Sequence, residues 1–211
     1  MLIDDFSSGD FIQVQGPTGF GTPEEFVGFQ TGTMVGGVRE AAFETGALAG
    51  STSLSEVSVG NGQFEMEAGR DIAQRITLIY GLDGATVPLG LDLRGEDRIR
   101  VNFAYNSASL NFNILLYNGI TPYVQIGLNV PASASPFSAD FIFADGSYPG
   151  GAIDFSHIDL IYVQTQDDSV MAGQSYAINS IVAVPEPGTA ALAGAGLLAL
   201  CAWRRRPGQP G

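Results

Sequence analysis

The chain has 211 residues, and its 9 basic side chains stand against 22 acidic ones, for a net charge of −13. All 9 basic residues are Arg, and three of them lie after residue 181 with one of the acids, which leaves 6 against 21, or −15, in residues 1–181. Such a field repels nucleic acid and anionic lipid, so nucleic-acid binding is excluded. With one His and one Cys, the chain cannot supply the ligands of a zinc site or form an internal disulfide.

Before residue 182, apolar and polar side chains alternate with a period of two, and no amphipathic helical pattern occurs. Clusters of Gly, Asn, Asp and Pro separate the alternating stretches, as expected of turns. The glycine-rich residues 16–32 are predicted to form a long polar connection. The predicted strands cover residues 2–6, 10–15, 33–45, 54–59, 63–68, 75–80, 98–106, 110–117, 123–128, 137–143, 158–164 and 175–184.

Two of these stretches have the clearest patterns. Residues 63–68 follow Gly60-Asn61-Gly62, which is the signal of a tight hairpin. In residues 98–106 the predicted inward face combines Ile99, Val101, Phe103 and Tyr105. Many short strands at this spacing predict an all-β fold, an antiparallel β-sandwich of the jelly-roll type, built from one domain of residues 1–181. In that fold the first and last strands are expected to lie side by side.

The composition changes at residue 182. Residues 182–188 form a proline-rich linker that contains Pro185, Glu186 and Pro187. The 16 residues 188–203 carry no charge, and as a helix they would extend ~24 Å, a little less than a hydrocarbon core of ~30 Å. We therefore predict a single transmembrane helix at residues 189–203, anchored by its larger apolar side chains, Leu192, Leu197, Leu198, Leu200 and Trp203.

An arginine cluster follows the apolar run at once. Arg204, Arg205 and Arg206 are the kind of positive charge that stays on the cytoplasmic side of a membrane. Residues 204–211 are therefore predicted to be a short cytoplasmic tail. The rest of the chain would lie on the other side of the membrane.

The order of these elements is more informative than their hydrophobicity. A Pro185-Glu186-Pro187 tripeptide, a short apolar helix and an arginine cluster together resemble the C-terminal sorting signal of the PEP-CTERM proteins of Gram-negative bacteria. The resemblance implies export, anchoring in the inner membrane with a periplasmic domain, cleavage near the tripeptide by the membrane-embedded enzyme exosortase, and delivery to the cell surface or medium. Members normally begin with a secretory signal peptide, whereas the opening residues 1–6 resemble the first strand of a mature domain.

Residues 91–184 resemble the jelly rolls of carbohydrate-binding modules in the layout of residues 97–101, 155–159 and 176–179. This second resemblance implies a structural Ca²⁺ near the N-terminus, held by Asp4, Asp5 and Asn179, because Ca²⁺ prefers carboxylate and amide oxygens. Asn179 stands where comparable domains have an Asp. No other cofactor is expected.

Few residues are candidates for catalysis. His157 is the single histidine, so a Ser/His/Asp triad would have to use it, and its position before a strand is typical of an ordinary loop residue. Glu65 and Glu67 share one face of a strand ~7 Å apart, which a glycosidase pair could use but which a solvated strand face explains equally well.

Sugar binding would need aromatic rings exposed beside polar groups. The candidates are tyrosines in or next to strands, for which core or rim packing is the alternative: Tyr105, Tyr117, Tyr123 and Tyr148. We therefore predict a non-catalytic exported protein of the cell surface or matrix, connected with exopolysaccharide and with biofilm or floc formation. A carbohydrate-binding module with the same delivery signal is the alternative, and a secreted glycoside hydrolase fits less well. The expected partners are exosortase, the inner membrane and extracellular polysaccharide.

Overall fold

The computed structural model describes residues 1–16, 25–47, 50–81, 88–167, 173–186 and 188. These residues form thirteen β-strands. In chain order the strands are β1 (Leu2–Asp4), β2 (Phe11–Gln15), β3 (Glu25–Thr31), β4 (Val38–Ala47), β5 (Ser55–Gly60), β6 (Gln63–Glu67), β7 (Ile72–Tyr80), β8 (Glu96–Asn106), β9 (Leu110–Tyr117), β10 (Tyr123–Val130), β11 (Phe137–Ile142), β12 (Leu160–Asp167) and β13 (Ser175–Pro185).

The strands pair into two antiparallel sheets. Sheet I has the order β11-β8-β13-β6-β5-β2, with β1 also paired to β13, and sheet II has the order β10-β9-β12-β7-β4-β3. One core lies between the sheets, and within it the rings of Phe103 on β8 and Phe112 on β9 meet edge to face at 5.8 Å. The predicted antiparallel β-sandwich is therefore confirmed.

The predicted hairpin at residues 60–62 is also confirmed. β5 pairs with β6, and Gly60 lies opposite Gln63. Asn61 and Gly62 have φ values of 55° and 75°. Two successive residues with positive φ are what the tight turns of such hairpins require, because their twist matches that of the strands.

The predicted connection over residues 16–32 is wrong in its second half. β3 occupies Glu25–Thr31 and pairs with β4 at the edge of sheet II. The register shifts between Phe26 and Gly28, and Gly28 has a φ of 93°. Such an irregularity breaks the period-two alternation by which a strand is recognised in a sequence.

The predicted face of β8 needs a correction near its end. Phe103 lies opposite Ile178, but Tyr105 lies opposite Ala177, so one extra residue is inserted in β8 at Ala104. This bulge reverses the alternation. Tyr105 consequently leaves the core face, and the next residue, Asn106, is fully buried.

The first and last strands lie together as predicted. β1 pairs with β13, with Leu2 opposite Val182. From β1 the Asp4 carboxylate reaches across the core to sheet II, where it accepts hydrogen bonds from Arg39 Nη1 at 2.6 Å and from the Tyr80 hydroxyl at 3.0 Å. We call Asp4, Arg39 and Tyr80 the buried clamp, because their exposed fractions are only 1%, 0% and 0%.

β13 extends to Pro185, which lies opposite Glu96 of β8. Residues 182–185, predicted to begin the linker, therefore belong to sheet I. Pro187 and residues 189–211 lie outside the described residues, as do the predicted transmembrane helix and the cytoplasmic tail, with Leu192, Leu197, Leu198, Leu200, Trp203, Arg204, Arg205 and Arg206. Among the residues that the structure does describe, no helix has the length and apolar character that crossing a membrane requires.

Candidate functional site

Three tyrosines form a cluster on the outer face of sheet II. Tyr117 ends β9, Tyr123 begins β10 directly opposite it, and Tyr162 lies on β12. The rings of Tyr117 and Tyr123 stack at 4.8 Å with an angle of 26°, and the rings of Tyr117 and Tyr162 meet at 5.2 Å with an angle of 61°. All three side chains are partly exposed, whereas their neighbours Leu116 and Ile161 point into the core. We call this group the tyrosine cluster.

The connection beside the tyrosine cluster is held by hydrogen bonds to a second loop. The Asn118 amide donates to the carbonyl oxygens of Asp154 and His157, and its Oδ1 accepts from the Asp154 backbone N–H at 2.6 Å. The Gly119 N–H donates to Asp159 Oδ2 at 2.7 Å. These bonds fix the end of β9 and the start of β10, so the rings are positioned before any ligand arrives.

Rows of amide side chains continue from the tyrosines along the same face. Gln125 Nε2 lies 3.3 Å from Asn113 Oδ1, and Asn129 Nδ2 lies 3.3 Å from Asn111 Oδ1. Successive rows are two residues apart, so the face from Tyr123 to Asn129 extends ~20 Å. Aromatic rings with neighbouring amide donors and acceptors can recognise a polar ligand that also has apolar faces.

This part of the face is electrically neutral. Burial, followed by the neighbouring Tyr162 and Tyr123, raises the pKa of Tyr117 to about 12. Its phenol therefore stays protonated and can both donate and accept hydrogen bonds at ordinary pH.

Charged residues lie across the sheet on β4 and β7. Arg75 Nη1 contacts Glu44 Oε2 at 3.1 Å, and Glu44 is 5% exposed. Glu40, on the same side of β4, is 9% exposed. Counting only the side chains that the structure describes, the outer face of sheet II thus has a neutral aromatic half and a half that carries one ion pair and a further carboxylate.

Sequence reasoning found two members of the tyrosine cluster and missed the third. Tyr117 and Tyr123 lie in the cluster, but Tyr105 lies on sheet I, where burial and then the charge of Glu65 raise its pKa. Tyr148 donates a hydrogen bond to the Phe143 carbonyl oxygen at 2.7 Å. Tyr162 was detectable as the polar-face residue between Ile161 and Val163, both of which are buried.

The residues considered for catalysis lie elsewhere. Glu65 and Glu67 are exposed on β6 in sheet I, away from the tyrosine cluster on sheet II. The His157 side chain is 63% exposed, and its Nε2 lies 3.1 Å from Asp159 Oδ1. Both placements match ordinary surface positions.

Each predicted calcium ligand has a protein partner in the structure. Asp4 belongs to the buried clamp, and its Oδ1 accepts from the Phe6 N–H at 2.8 Å. Asp5 Oδ1 accepts from the Ser7 hydroxyl at 2.6 Å, and Asn179 Oδ1 accepts from Gln63 Nε2 at 2.8 Å. Within the described part of the chain, no group of three or more His, Cys, Asp or Glu side chains is placed to hold a metal ion. The calcium site stays a prediction.

A thermal melt tests that prediction. If Asp4, Asp5 and Asn179 hold Ca²⁺, a thousandfold excess of the ion over its dissociation constant should stabilise the fold by about 4 kcal/mol, and EDTA should remove the gain. Asp5→Ala, which changes the predicted carboxylate ligand that lies outside the buried clamp, should abolish the shift. Equal melting midpoints in Ca²⁺ and EDTA would remove the hypothesis.

A network of ion pairs borders the end of β13 on the outer face of sheet I. Asp140 accepts from Arg100 Nε at 2.7 Å and from Arg98 Nη1 at 3.1 Å. Arg98 also binds Asp97 at 2.6 Å. Since Val184 lies opposite Arg98, these pairs support the strands from which the Pro185-Glu186-Pro187 tripeptide emerges.

We expect this network of ion pairs to make the free energy of unfolding depend on pH. Arg100 and then Arg98 lower the pKa of Asp140 below its ordinary value, so its ionised form stabilises the fold at neutral pH, and this stabilisation is lost as the pH falls through the folded-state pKa. We expect Asp140→Asn to lower the free energy of unfolding by up to about 1 kcal/mol at pH 7 and to have little effect near pH ~2. Urea denaturation at both pH values measures this, with Asp10→Asn as the exposed control. A penalty that is the same at both pH values would contradict it.

Comparison with known proteins gives low-identity structural matches and one sequence motif. No curated protein is significantly similar in sequence. The family 11 carbohydrate-binding module of a cellulosomal cellulase of Clostridium thermocellum is 15% identical, with a TM-score of 0.42 over 88% of this chain and 94% of the module. In its complex with a β-1,3-1,4-mixed-linked tetrasaccharide, the family 11 module from that organism is 15% identical, with a TM-score of 0.37 over 82% and 96% of the two chains.

A third match is an agarase, AgWH50C. It is 12% identical with a TM-score of 0.41, and the alignment covers 68% of this chain and 24% of the agarase. The sequence motif lies at the C-terminus and bears out the predicted resemblance. Residues 183–206 match the model of the PEP-CTERM protein-sorting motif.

Proposed function

We propose that the protein is an exported, non-catalytic glycan-binding protein that uses the outer face of sheet II and is delivered by its PEP-CTERM tail. The tyrosine cluster carries this proposal, because its rings are fixed, neutral and bordered by amide side chains. A sugar ring offers apolar C–H faces to an aromatic ring and hydroxyl groups to amides. Of the two non-catalytic functions that the sequence leaves open, this observation favours carbohydrate binding over a purely structural matrix role.

The placement of the described carboxylates on this face, those of Glu40 and Glu44, argues against glycoside hydrolysis there. Glu40 and Glu44 are four residues apart on one strand, which separates their Cα atoms by ~13 Å. Retaining and inverting glycosidases need two carboxyl groups ~5 to ~10 Å apart. Glu44 is also paired with Arg75.

In this proposal the C-terminal tail directs the export and localisation of the protein. In our proposal exosortase recognises Pro185, Glu186 and Pro187, residues 189–203 span the inner membrane before processing, and residues 204–206 stay in the cytoplasm. Cleavage then frees the sandwich for the cell surface or the extracellular matrix. Exopolysaccharide of a biofilm or floc is the ligand that such a location offers.

Removing tyrosine rings tests the binding function. We expect Tyr117→Ala and Tyr162→Ala each to weaken binding to the producing cell's exopolysaccharide roughly tenfold, or ~1.4 kcal/mol, because each substitution removes a stacking surface. Affinity electrophoresis in gels that contain the polysaccharide measures the change. Tyr117→Phe keeps the ring and should retain most of the affinity.

The matched control is Tyr105→Ala, which removes a partly exposed tyrosine from sheet I. Thermal melts of all variants separate lost binding from lost folding. If the wild-type protein is not retained by the polysaccharide, or if Tyr105→Ala weakens binding as much as Tyr162→Ala, the proposed binding face is wrong. A structural matrix role would then be the better account.

A further inference from the structure

The sorting tripeptide begins inside the folded sandwich. Pro185 is the last residue of β13, and it lies opposite Glu96 of β8. Glu186 follows immediately and lines a surface pocket of ≈ 420 Å³ at this end of the sandwich. We call this feature the rim pocket; its other lining residues are Leu93, Arg94, Glu96, Asp97, Ile142, Phe143, Ala144 and Phe155.

The rim pocket combines an apolar floor with a charged border. The rings of Phe143 and Phe155 stack at 4.8 Å with an angle of 18°, and Ile142 at the edge is 36% exposed. On the border, Glu96 Oε2 is buried with no hydrogen-bond partner within the described structure. An apolar centre inside a polar border is the usual anatomy of a protein-binding surface.

The border has an excess of acidic groups. Among the described lining residues, Glu96, Asp97 and Glu186 are acidic and Arg94 is basic. Arg94 binds Asp92 at 2.5 Å, Asp97 binds Arg98 at 2.6 Å, and Glu96 Oε1 lies 3.9 Å from the N-terminal ammonium group of Met1. A partner that inserts an apolar side chain and places a basic or N–H donor group near Glu96 would complement this surface.

The short length of chain between β13 and the predicted membrane span limits which partner can reach the rim pocket. Three residues, 186–188, separate β13 from the predicted membrane span at 189–203, and extended chain of that length covers ~10 Å. An enzyme that binds the tripeptide must therefore also contact the end of the sandwich, because the tripeptide starts within the sheet and Glu186 lines the rim pocket.

We propose that the rim pocket is a docking surface for the processing enzyme, which binds the pocket and the tripeptide together. The proposal rests on the proposed role of the tail as an exosortase substrate. It means that the enzyme recognises a folded sandwich end as well as a short linear motif. The partner segment is an apolar side chain with an adjacent basic or hydrogen-bond-donating group.

Processing of the full chain in an exporting host that has exosortase tests this. The readout is the rate at which the membrane-bound precursor is converted to the shortened form, followed by immunoblot. Ile142→Arg and Ala144→Arg, both at exposed positions that line the rim pocket, should slow conversion roughly tenfold, because each adds a positive charge beside the apolar floor. Leu128→Arg is the matched control, because Leu128 is 39% exposed and does not line the rim pocket.

A second variant keeps all side chains and moves the tripeptide. A Gly/Ser insertion of about six residues between Val184 and Pro185 separates the motif from the pocket and should also slow conversion. Wild-type rates in Ile142→Arg and Ala144→Arg, equal slowing in Leu128→Arg, or unchanged or faster conversion after the insertion would overturn the docking surface.

The same assay keeps the two proposals apart. Glu186→Gln changes the tripeptide together with one lining residue of the rim pocket, whereas the other rim-pocket variants leave the tripeptide unchanged. If this variant and the wild-type precursor are both never cut in a host with exosortase, the tail is not its substrate and the proposed delivery fails. If Glu186→Gln is slowed while the rim-pocket variants are cut normally, delivery stands and only the docking surface is wrong. Limited proteolysis of each precursor confirms that the sandwich has folded.

Discussion

Truncation after Pro185 is expected to move the protein from the membrane fraction to the soluble exported fraction almost completely. The deletion removes residues 186–211, which contain the whole uncharged run and the arginine cluster. It retains Pro185, because this residue completes β13 opposite Glu96. The sandwich should therefore fold normally while its proposed anchor is absent.

The comparison should be made in a host that exports the protein but lacks exosortase. Without cleavage the full chain has no route off the membrane, so fractionation reports anchoring alone. Equal membrane association of the two forms would show that residues 186–211 are not the anchor.

A point substitution tests the same span with less disturbance. Leu198→Arg places a charge in the middle of the apolar run, which costs roughly 3 kcal/mol at the centre of a membrane helix. Much of the precursor should then leave the membrane fraction. Ala202→Arg, next to the natural arginine cluster, is the control, since a charge near the end of a span can reach the interface.

The second large effect is expected at the buried clamp. Replacing Arg39 by Ala should lower the free energy of unfolding by about 3–5 kcal/mol, because the Asp4 carboxylate would stay buried without its countercharge. Arg39 also packs beneath two aromatic rings, with its guanidinium carbon 5.4 Å from the centre of Phe6 and 5.9 Å from that of Phe11. The loss would therefore include packing between the two sheets.

Urea denaturation measures this prediction. Arg94→Ala is the matched control, since it breaks an ion pair with Asp92 whose side chains are 70% and 50% exposed, and such pairs contribute about 1 kcal/mol or less. The double substitution Asp4→Leu with Arg39→Met should recover much of the lost stability, because it removes both charges together. A cost for Arg39→Ala no larger than that of Arg94→Ala would show that the clamp does not stabilise the sandwich.

Tyr80 explains why the clamp tolerates burial. Burial and then the Asp4 charge raise the pKa of Tyr80 well above its usual value, so its hydroxyl remains a donor to Asp4. The carboxylate thus has two donors from sheet II besides the Phe6 N–H. Because its hydrogen bonds are satisfied in this way, the buried Asp4 carboxylate holds β1 against β4 and β7 rather than destabilising the sandwich.

The tail illustrates what can be recognised from sequence. The Pro185-Glu186-Pro187 tripeptide, the uncharged run and the arginines occur in a fixed order within one short segment, and each acts through its local composition. The alternating strands are visible for the same reason, because the pleat sends neighbouring side chains to opposite faces. β3 escapes recognition where the register shift near Gly28 interrupts that alternation.

The tyrosine cluster, by contrast, depends on strand pairing that the sequence alone does not show. Tyr162 lies 45 positions after Tyr117, and the two rings meet only because β12 pairs with β9 in one register. A different register by one residue would turn Tyr162 into the core. Similarly, the bulge at Ala104 moved Tyr105 away from the face that its alternation predicted.

The sequence by itself therefore determined the all-β class, most strand positions and the sorting motif, because these depend on residues close together along the chain. Tertiary structure alone decided that three tyrosines share one neutral face, that Asp4 is paired with Arg39, and that the tripeptide starts within the sheet beside the rim pocket. The physical reason is that strand pairing joins residues far apart in the chain, and register and bulges decide which side chains meet.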